Sequence, residues 1–504
     1  MRHDVLIVGA GPTGLTLALW LTKQGIKVRI VDRNATPGTA SRAMAVQART
    51  LELYRQLGIA DAVVAAGHTN FSVNIWVGGT KKAHISFADA GAEMTPYPFI
   101  LVYPQDRHER LLADRLEELG VSVERGTEFV DFTDRGDHVV ARLRDASGVE
   151  SHAEALYLAG CDGAKSVIRH QIGSAYPGGT YDKIFYVADV RLQGAAADGE
   201  MHLALDRADF MACLAYDDAG KARLIGIVGD DGDAAKELTF GDVAHTAMTG
   251  MKLDIEAVSW FSTYRVHHRV TDHYRRGRAF LVGDAAHVHS PAGGQGMNTG
   301  IGDAANLAWK LAAVIRDEAP DNLLDTYEEE RRAFAVKLVE TTDRVFSFVT
   351  SDGPFADFVR TRIAPVFLPA AYRFEAAREF MFRLISQIRI SYGDCAFNEG
   401  KAGDVHGGDR LPWVRANGTD NYASLSSIGW QVHVYGEAPD DLGPWCRERG
   451  IAVHVFSWSP EYGTAGLERG AAYLMRPDTY IALAANPASA AAIGHYLAER
   501  QIRL

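Results

Sequence analysis

Gly9, Gly11 and Gly14 follow the apolar run Val5–Val8 at the spacing Gly-x-Gly-x-x-Gly and precede a helical pattern of Leu15, Leu17, Ala18 and Leu21. At that spacing each glycine has its own duty. The first permits a tight turn, the second lets a pyrophosphate approach the N–H groups of the helix start, and the third lets helix and strand pack closely. Asp32 closes the next apolar strand, Lys27–Val31, where a carboxylate can accept from ribose hydroxyls. A lone glycine fingerprint is weak. Strand, turn, helix, strand and acid in this order mark a dinucleotide site without choosing between FAD and a nicotinamide cofactor.

The choice comes from further along. Arg278–Asp284 reads as a buried strand ending in Gly283-Asp284, followed by Pro291, Gly293, Gln295, Gly296, Met297, Asn298 and Gly300, then by a helix through Ala304–Ala313. An aspartate at a strand end can bind a polyol hydroxyl such as a ribityl O–H. Backbone N–H groups at the helix start stabilise an anion by roughly 0.3–1 kcal/mol each, which the N1–C2=O edge of a reduced flavin requires. A third cluster, Cys161-Asp162-Gly163-Ala-Lys165-Ser166-Val-Ile-Arg169, follows a strand at Ala155–Ala159 and taken alone is a capped turn.

Other signals carry less. His287-x-His289 lies inside the Gly-Asp segment without a matching second pair, so no metal site is expected. His267-His268 reads as structural. There is no Gly-x-Ser-x-Gly elbow to offer a hydrolase nucleophile.

The elements that must position these residues need several domains. The 504 residues exceed one core, and length suggests about three domains. Phe71–Val77 alternates, with Phe71, Val73, Ile75 and Val77 on one face and Ser72 and Asn74 on the other. With Lys183–Leu192, Met201–Tyr216 and Ala222–Val228 it predicts an antiparallel sheet with one covered face, interrupting the nucleotide-binding portion. A helical pattern from an Asn322 cap runs to about Val349, an irregular Phe-rich helical stretch covers Pro354–Ile390, and composition shifts at Gly400–Gly408. The remainder, with strands at Gln431–Tyr435, Ala452–Ser457 and Tyr480–Ala484, suggests a small α/β domain.

No apolar run approaches the ~18 residues of a membrane span, and no signal peptide precedes the first strand, so a cytoplasmic location is expected. The net charge of −12 argues against nucleic acid as a partner. The four cysteines form no Cys-x-x-Cys pair and read as reduced, mostly buried thiols.

Together the three motifs, in this order, resemble the group A flavoprotein aromatic hydroxylases, the para-hydroxybenzoate and phenol hydroxylase superfamily. The resemblance covers most of residues 1–350. It implies a Rossmann-like FAD-binding domain (1–70, 98–175 and 268–350), an antiparallel-sheet substrate domain (71–97 and 176–267), a helical connection (351–399) and a thioredoxin-like α/β domain (400–504), so α/β and α+β overall. Gly408-Asp-Arg410-Leu-Pro412 matches the segment that often precedes that last domain in the phenol and polyketide hydroxylase branch. Without Cys-x-x-Cys the domain cannot do dithiol chemistry, and a structural or oligomerisation role is expected.

The resemblance also assigns Arg33, Arg42 and Gln105 to the cofactor, beside Gly9, Gly11, Gly14, Asp32, Asp162, Gly163, Gly283, Asp284, Pro291, Gly293, Gly296, Met297 and Asn298. From the residues alone, Arg42 and Arg107 would be surface arginines. The implied activity is an FAD-dependent monooxygenase that uses NAD(P)H as a transient co-substrate and O2, hydroxylating a small aromatic substrate through a flavin C4a-hydroperoxide. The Pro291 backbone would face the reacting oxygen, and Met44, Tyr103 and the strands around Phe210 and Trp260 are pocket candidates. A homodimer is left open.

Rival readings differ in testable features. A halogenase wants Trp-x-Trp-x-Ile-Pro, which none of the eight tryptophans supplies, and a two-Rossmann Baeyer–Villiger enzyme needs a second fingerprint. Baeyer–Villiger or decarboxylative chemistry within group A, and a non-catalytic FAD- or NAD-binding protein, stay open.

Overall fold

The structure, a computed structural model, describes residues 2–38, 43–194, 197–205, 210–217, 220–228, 238–243, 245–290, 294–350 and 374–504. Three sheets organise it.

The first has strands in the order Arg275–Arg276, Ala279–Leu281, Glu150–Gly160, His3–Val8, Val28–Asp32, Val123–Arg125, with the hairpin Glu128–Asp134 and Val139–Arg144 paired onto Glu150–Gly160. His3–Val8 is parallel to both neighbours. The central strands His3–Val8, Val28–Asp32 and Ala279–Leu281 are mainly apolar because both faces there are covered. Pro12–Lys23 packs on the sheet with Leu15, Leu17, Trp20 and Leu21 buried, and Gly296–Ile315 adds Ile301, Ala304, Leu307 and Leu311 to the same core. Both helices are buried on most sides, which is why neither shows a polar stripe.

The second sheet has eight strands: His287–Val288, Leu253–Val270, Gly178–Gly194, Lys221–Ile227, Phe210–Ala215, Met201–Leu205, Ser72–Val77 and Thr80–Ser86. All neighbours are antiparallel except Met201–Leu205 beside Ser72–Val77. The expectation of one covered face fails at Ser72 and Asn74, which are buried (7% and 0% exposed). Glu200 is the reason: its carboxylate accepts from Ser72 Oγ at 3.2 Å and from Asn74 Nδ2.

The third sheet belongs to the C-terminal domain. Ala452–Phe456, Gln431–Tyr435, Ala472–Met475 and Ile481–Ala485 lie side by side, the first pair parallel and the others antiparallel. With the helix Ala490–Glu499 this is the thioredoxin-like arrangement. Its strand Ala472–Met475 has no alternation to reveal it, since every residue is buried. Cys446 stands alone there, and the four cysteines are free thiols.

The long helix begins at Asp325 rather than at Asn322, which lies within the 3-10 turn Asp321–Leu324 capped by Pro320. Of the Phe-rich stretch, 351–373 lie outside the described residues, and Glu375–Ile385 is helical. Among the described residues, no helix is long and apolar enough to cross a membrane, and no group of three His, Cys, Asp or Glu side chains could hold a metal ion.

Candidate functional site

Strand register brings the three sequence clusters together. Val8 pairs with Gly160, and Gly160 with Leu281, so three parallel strands end side by side. The glycine turn, Asp162-Gly163 and Gly283-Asp284 emerge from those ends. This is the carboxyl edge of an open parallel sheet, where ligands bind in such folds.

The fingerprint glycines are required for separate reasons. Gly9 has φ +102°, and a Cβ there would stand 2.2 Å from the Cys161 carbonyl oxygen. A Cβ on Gly14 would stand 2.0 Å from the Gly9 oxygen. Gly11, the N-cap of Pro12–Lys23, faces open space: a Cβ there would meet nothing within 4 Å. That space lies over the helix's first N–H groups, which have no intrahelical acceptor. A phosphate fits there.

Asp32 holds the turn from the next strand: Oδ2 accepts from Ala10 N–H at 2.7 Å and Oδ1 from Asn34 N–H at 2.8 Å. Arg125 lies 3.7 Å from the same carboxylate. Arg33 is exposed beside it. Arg42, Pro291 and Gly293 lie outside the described residues.

Asp162 caps the helix Val167–Gln171, its Oδ2 accepting from Val167 N–H (2.7 Å) and Ile168 N–H (3.3 Å), while Ser166 Oγ accepts from Arg169 N–H (2.9 Å). The capped turn is therefore real. Yet Asp162 Oδ1 is buried without a partner, and burial pushes this carboxyl above its ordinary range. A buried acceptor without a donor costs about 1–3 kcal/mol, which a ligand hydroxyl would relieve. Arg169 ties this loop to the next, donating to the carbonyls of Ala164 (2.8 Å) and Ala285 (2.9 Å) and stacking on Tyr176 at 3.9 Å. Asp284 is exposed on its 3-10 turn, and its backbone oxygen accepts from Tyr176 Oη at 3.0 Å.

Asn298 does something the sequence does not suggest. Its Oδ1 accepts from Gln47 N–H (3.0 Å) and Thr50 Oγ1 (2.7 Å), and its Nδ2 donates to Ala45 O and Gly294 O (2.8 Å each). The amide is a fully engaged clamp between the helix start and the strand Ala45–Val46. What remains for a ligand is backbone: the N–H groups of Gly296, Met297 and Asn298 form the first turn of a 20-residue helix. Gln105 is also a clamp, accepting from Ala43 N–H (3.2 Å) and donating to Glu109 (2.8 Å). Burial raises the Glu109 carboxyl, and Gly38 N–H also donates to it (3.3 Å).

The second sheet meets this edge through Met44, Val102 and Leu214, with Met201, Tyr216 and Ile225 packed against them. Tyr103 continues the clamped strand, its N–H donating to Met44 O at 2.7 Å. Phe210 packs with Phe185, Ile227 and Val266, and Trp260 lies 5.6 Å from the buried Arg223 guanidinium. Ala212 and Ile225, opposite each other mid-sheet, are only half-buried.

Behind the cofactor edge lies a charged cluster that motif spacing does not announce. Asp303 Oδ2 accepts from Gly283 N–H (3.1 Å) and His287 Nε2 (2.6 Å), and Oδ1 from Arg331 Nε (2.6 Å). Burial pushes this carboxyl up, but Arg331 and His287 outweigh it and hold it below its ordinary range. The available signal was a lone aspartate inside an apolar helix.

These features fit FAD: open space over helix N–H groups, an orphaned buried acceptor, an exposed strand-end carboxylate and a second helix start. A family model described as FAD binding domain matches residues 2–342. The chain is 36% identical over 522 residues to 6-methylpretetramide 4-monooxygenase of Streptomyces rimosus, covering 95% of this chain and 90% of that one. It is 31% identical to pentachlorophenol 4-monooxygenase of Sphingobium chlorophenolicum, over 81% and 75% of the two chains. Among solved structures, OxyS anhydrotetracycline hydroxylase from Streptomyces rimosus superposes with a TM-score of 0.77 at 28% identity, covering 99% and 98%.

Proposed function

The chain belongs to the FAD-dependent aromatic and polyketide monooxygenases, and we propose on that basis that it hydroxylates a phenolic or polyketide-like ring, consuming NAD(P)H and O2. The observation that carries the reading is the register of Val8, Gly160 and Leu281, which collects the three cofactor motifs on one edge.

FAD, when bound, accepts hydride from the nicotinamide and activates oxygen. The chain's own residues bind, aim and shield. Gly9, Gly11, Gly14, Asp32 and Arg33, with Arg42, hold the adenosine and pyrophosphate end. Asp162, Gly163, Gly283 and Asp284 take the ribityl hydroxyls, with Gln105 bracing the strand beside them. The N–H groups of Gly296, Met297 and Asn298 meet the ring edge where negative charge develops, and their fixed aim means little reorganisation as it does. The Pro291 backbone and Gly293 are assigned to the cofactor by the family resemblance alone. Met44, Val102, Leu214 and Ile225 form a dry wall for an aromatic ring.

The domain division at 71–97 and 176–267 follows, with the substrate on the second sheet. A cytoplasmic, homodimeric protein belongs to the same proposal. Purified protein should show bound-flavin bands near ~375 and ~450 nm. A phenol or polycyclic phenol should accelerate NAD(P)H oxidation with a matching hydroxylated product. Peroxide alone, across a broad panel of phenols, would defeat the hydroxylase reading.

A further inference from the structure

We propose that Asp303, Arg331 and Tyr392 form a positioning relay, by which the segment leading into the C-terminal domain sets the aim of the cofactor-facing backbone groups at Gly283 and at the start of the Gly296–Ile315 helix. The proposal rests on the reading that those groups face FAD.

Asp303, Arg331 and Tyr392 are 0%, 1% and 4% exposed. An ion pair this deep gains little stability over well-packed apolar side chains, so stability alone does not call for it. What apolar side chains cannot do is hold backbone polar groups. Asp303 accepts the Gly283 N–H at 3.1 Å, and Arg331, its ion partner at 2.6 Å, donates Nη2 to the Thr299 carbonyl at 3.0 Å. One ion pair thus bridges both cofactor-facing segments. Helix and turn are close enough for this because of Gly300 and Gly302. A Cβ on Gly300 would stand 3.3 Å from Gly283 Cα, and one on Gly302 would stand 3.0 Å from Arg331 Nη2.

The third member comes from a distant part of the chain. Arg331 Nη1 donates to Tyr392 Oη at 2.7 Å, and the Tyr392 ring packs at a tilt against Tyr480 of the C-terminal domain, centroids 4.4 Å apart. From the same segment Gln387 Nε2 donates to Thr299 Oγ1 at 3.0 Å and to Gln295 Oε1 at 3.4 Å, touching the helix start itself. The C-terminal domain therefore has a physical connection to the place where reduced-flavin charge is stabilised. These residues position; none of them touches the cofactor.

Tyr392→Phe keeps the ring contact with Tyr480 and removes the hydrogen bond from Arg331. Gln387→Asn keeps a residue tolerant of the left-handed φ of +58° and pulls its amide short of Thr299. Each variant should bind oxidised FAD near wild-type affinity but lose about five- to tenfold of the preference for reduced over oxidised flavin. A tenfold loss is about 30 mV more negative for a two-electron couple. FAD titration of the apoprotein and an equilibrium redox titration read both quantities. Arg55→Gln, which loosens the domain contact at Asp420 (3.1 Å) without touching the relay, should leave the midpoint unchanged. Unchanged midpoints in both relay variants, or an equal shift in Arg55→Gln, overturn the relay alone. Wild-type apoprotein that takes up no FAD overturns the site reading beneath it.

Discussion

Arg410 lies side-on against Glu52, its Nε and Nη2 donating to the two carboxylate oxygens at 2.8 and 2.6 Å across 358 residues of sequence. Arg410 is the arginine of the Gly408–Pro412 segment, and Glu52 belongs to the helix Ala48–Leu57 of the cofactor domain. Arg49 joins them, 3.1 Å from Glu52, and reaches back to Asp478 O (2.8 Å) and Thr479 Oγ1 (2.9 Å). A second buried group continues the contact: Arg476 between Glu330 and Asp478, with Lys310 2.8 Å from Glu330. The C-terminal domain is thereby bound to the cofactor domain through charges.

Breaking one side of this contact should be costly. Arg410→Met leaves a carboxylate that is 1% exposed with Arg49 as its remaining ion partner, so the loss should fall short of the about 3–5 kcal/mol of a buried charge left wholly unpaired. Calorimetry should show a fall in Tm, and a further fall in the double variant Arg410→Met with Glu52→Leu, which leaves Arg49, 3% exposed, without its carboxylate. Recovery in the double variant would mean that the Asp478 carbonyl and the Thr479 hydroxyl suffice to hold Arg49 without a carboxylate.

Asp284→Ala should weaken cofactor binding. The side chain is exposed at the strand end, and the turn's hydrogen bond from Tyr176 goes to the backbone, which alanine retains. Loss of a charged acceptor is worth about 1.5–3 kcal/mol, so FAD affinity should fall about 10- to 100-fold. Fluorescence titration with FAD measures it.

Gly11→Ala and Gly14→Ala should fail differently. A methyl on Gly14 collides with the Gly9 backbone, and overpacking of this kind costs about 1–3 kcal/mol or more, so the apoprotein itself is destabilised. A methyl on Gly11 meets only open space. That variant should fold with a normal apoprotein Tm and lose FAD. Equal Tm losses in the two variants would contradict the assignment of the open space to a phosphate.

Acid should weaken the fold before carboxylates titrate. His108 and His433 are 0% exposed, and burial lowers each from 6.5 to about 3. A depressed folded value means the unfolded chain binds the extra proton first. Their contribution is complete above pH 6.5 and drains as pH falls toward about 3, at about 1.4 kcal/mol per pH unit for each group. Urea unfolding between pH 7 and 4 should show that slope, and His108→Gln should reduce it. A flat profile over that range would show that both rings carry charge in the folded state.

The dinucleotide fingerprint and the flavin-type Gly-Asp segment can be read from the residues, and the family resemblance adds the thioredoxin-like tail without a dithiol. These are legible because their chemistry is local. Gly9, Gly11 and Gly14 act within one turn, and Asp162 caps a helix that starts five residues later. The tertiary structure decided what depends on packing. Asp303 and Lys310, charges in an otherwise apolar helix, announce that buried partners exist, but only the crossing of helices selects Arg331 and Glu330 for them. Asn298 has motif spacing for a cofactor ligand, yet its four hydrogen bonds go to protein, because the strand at Ala45 comes within reach of the helix start. Pairing across hundreds of residues, as between Arg410 and Glu52, leaves no spacing to read. It is set by which buried charge would otherwise go unpaired.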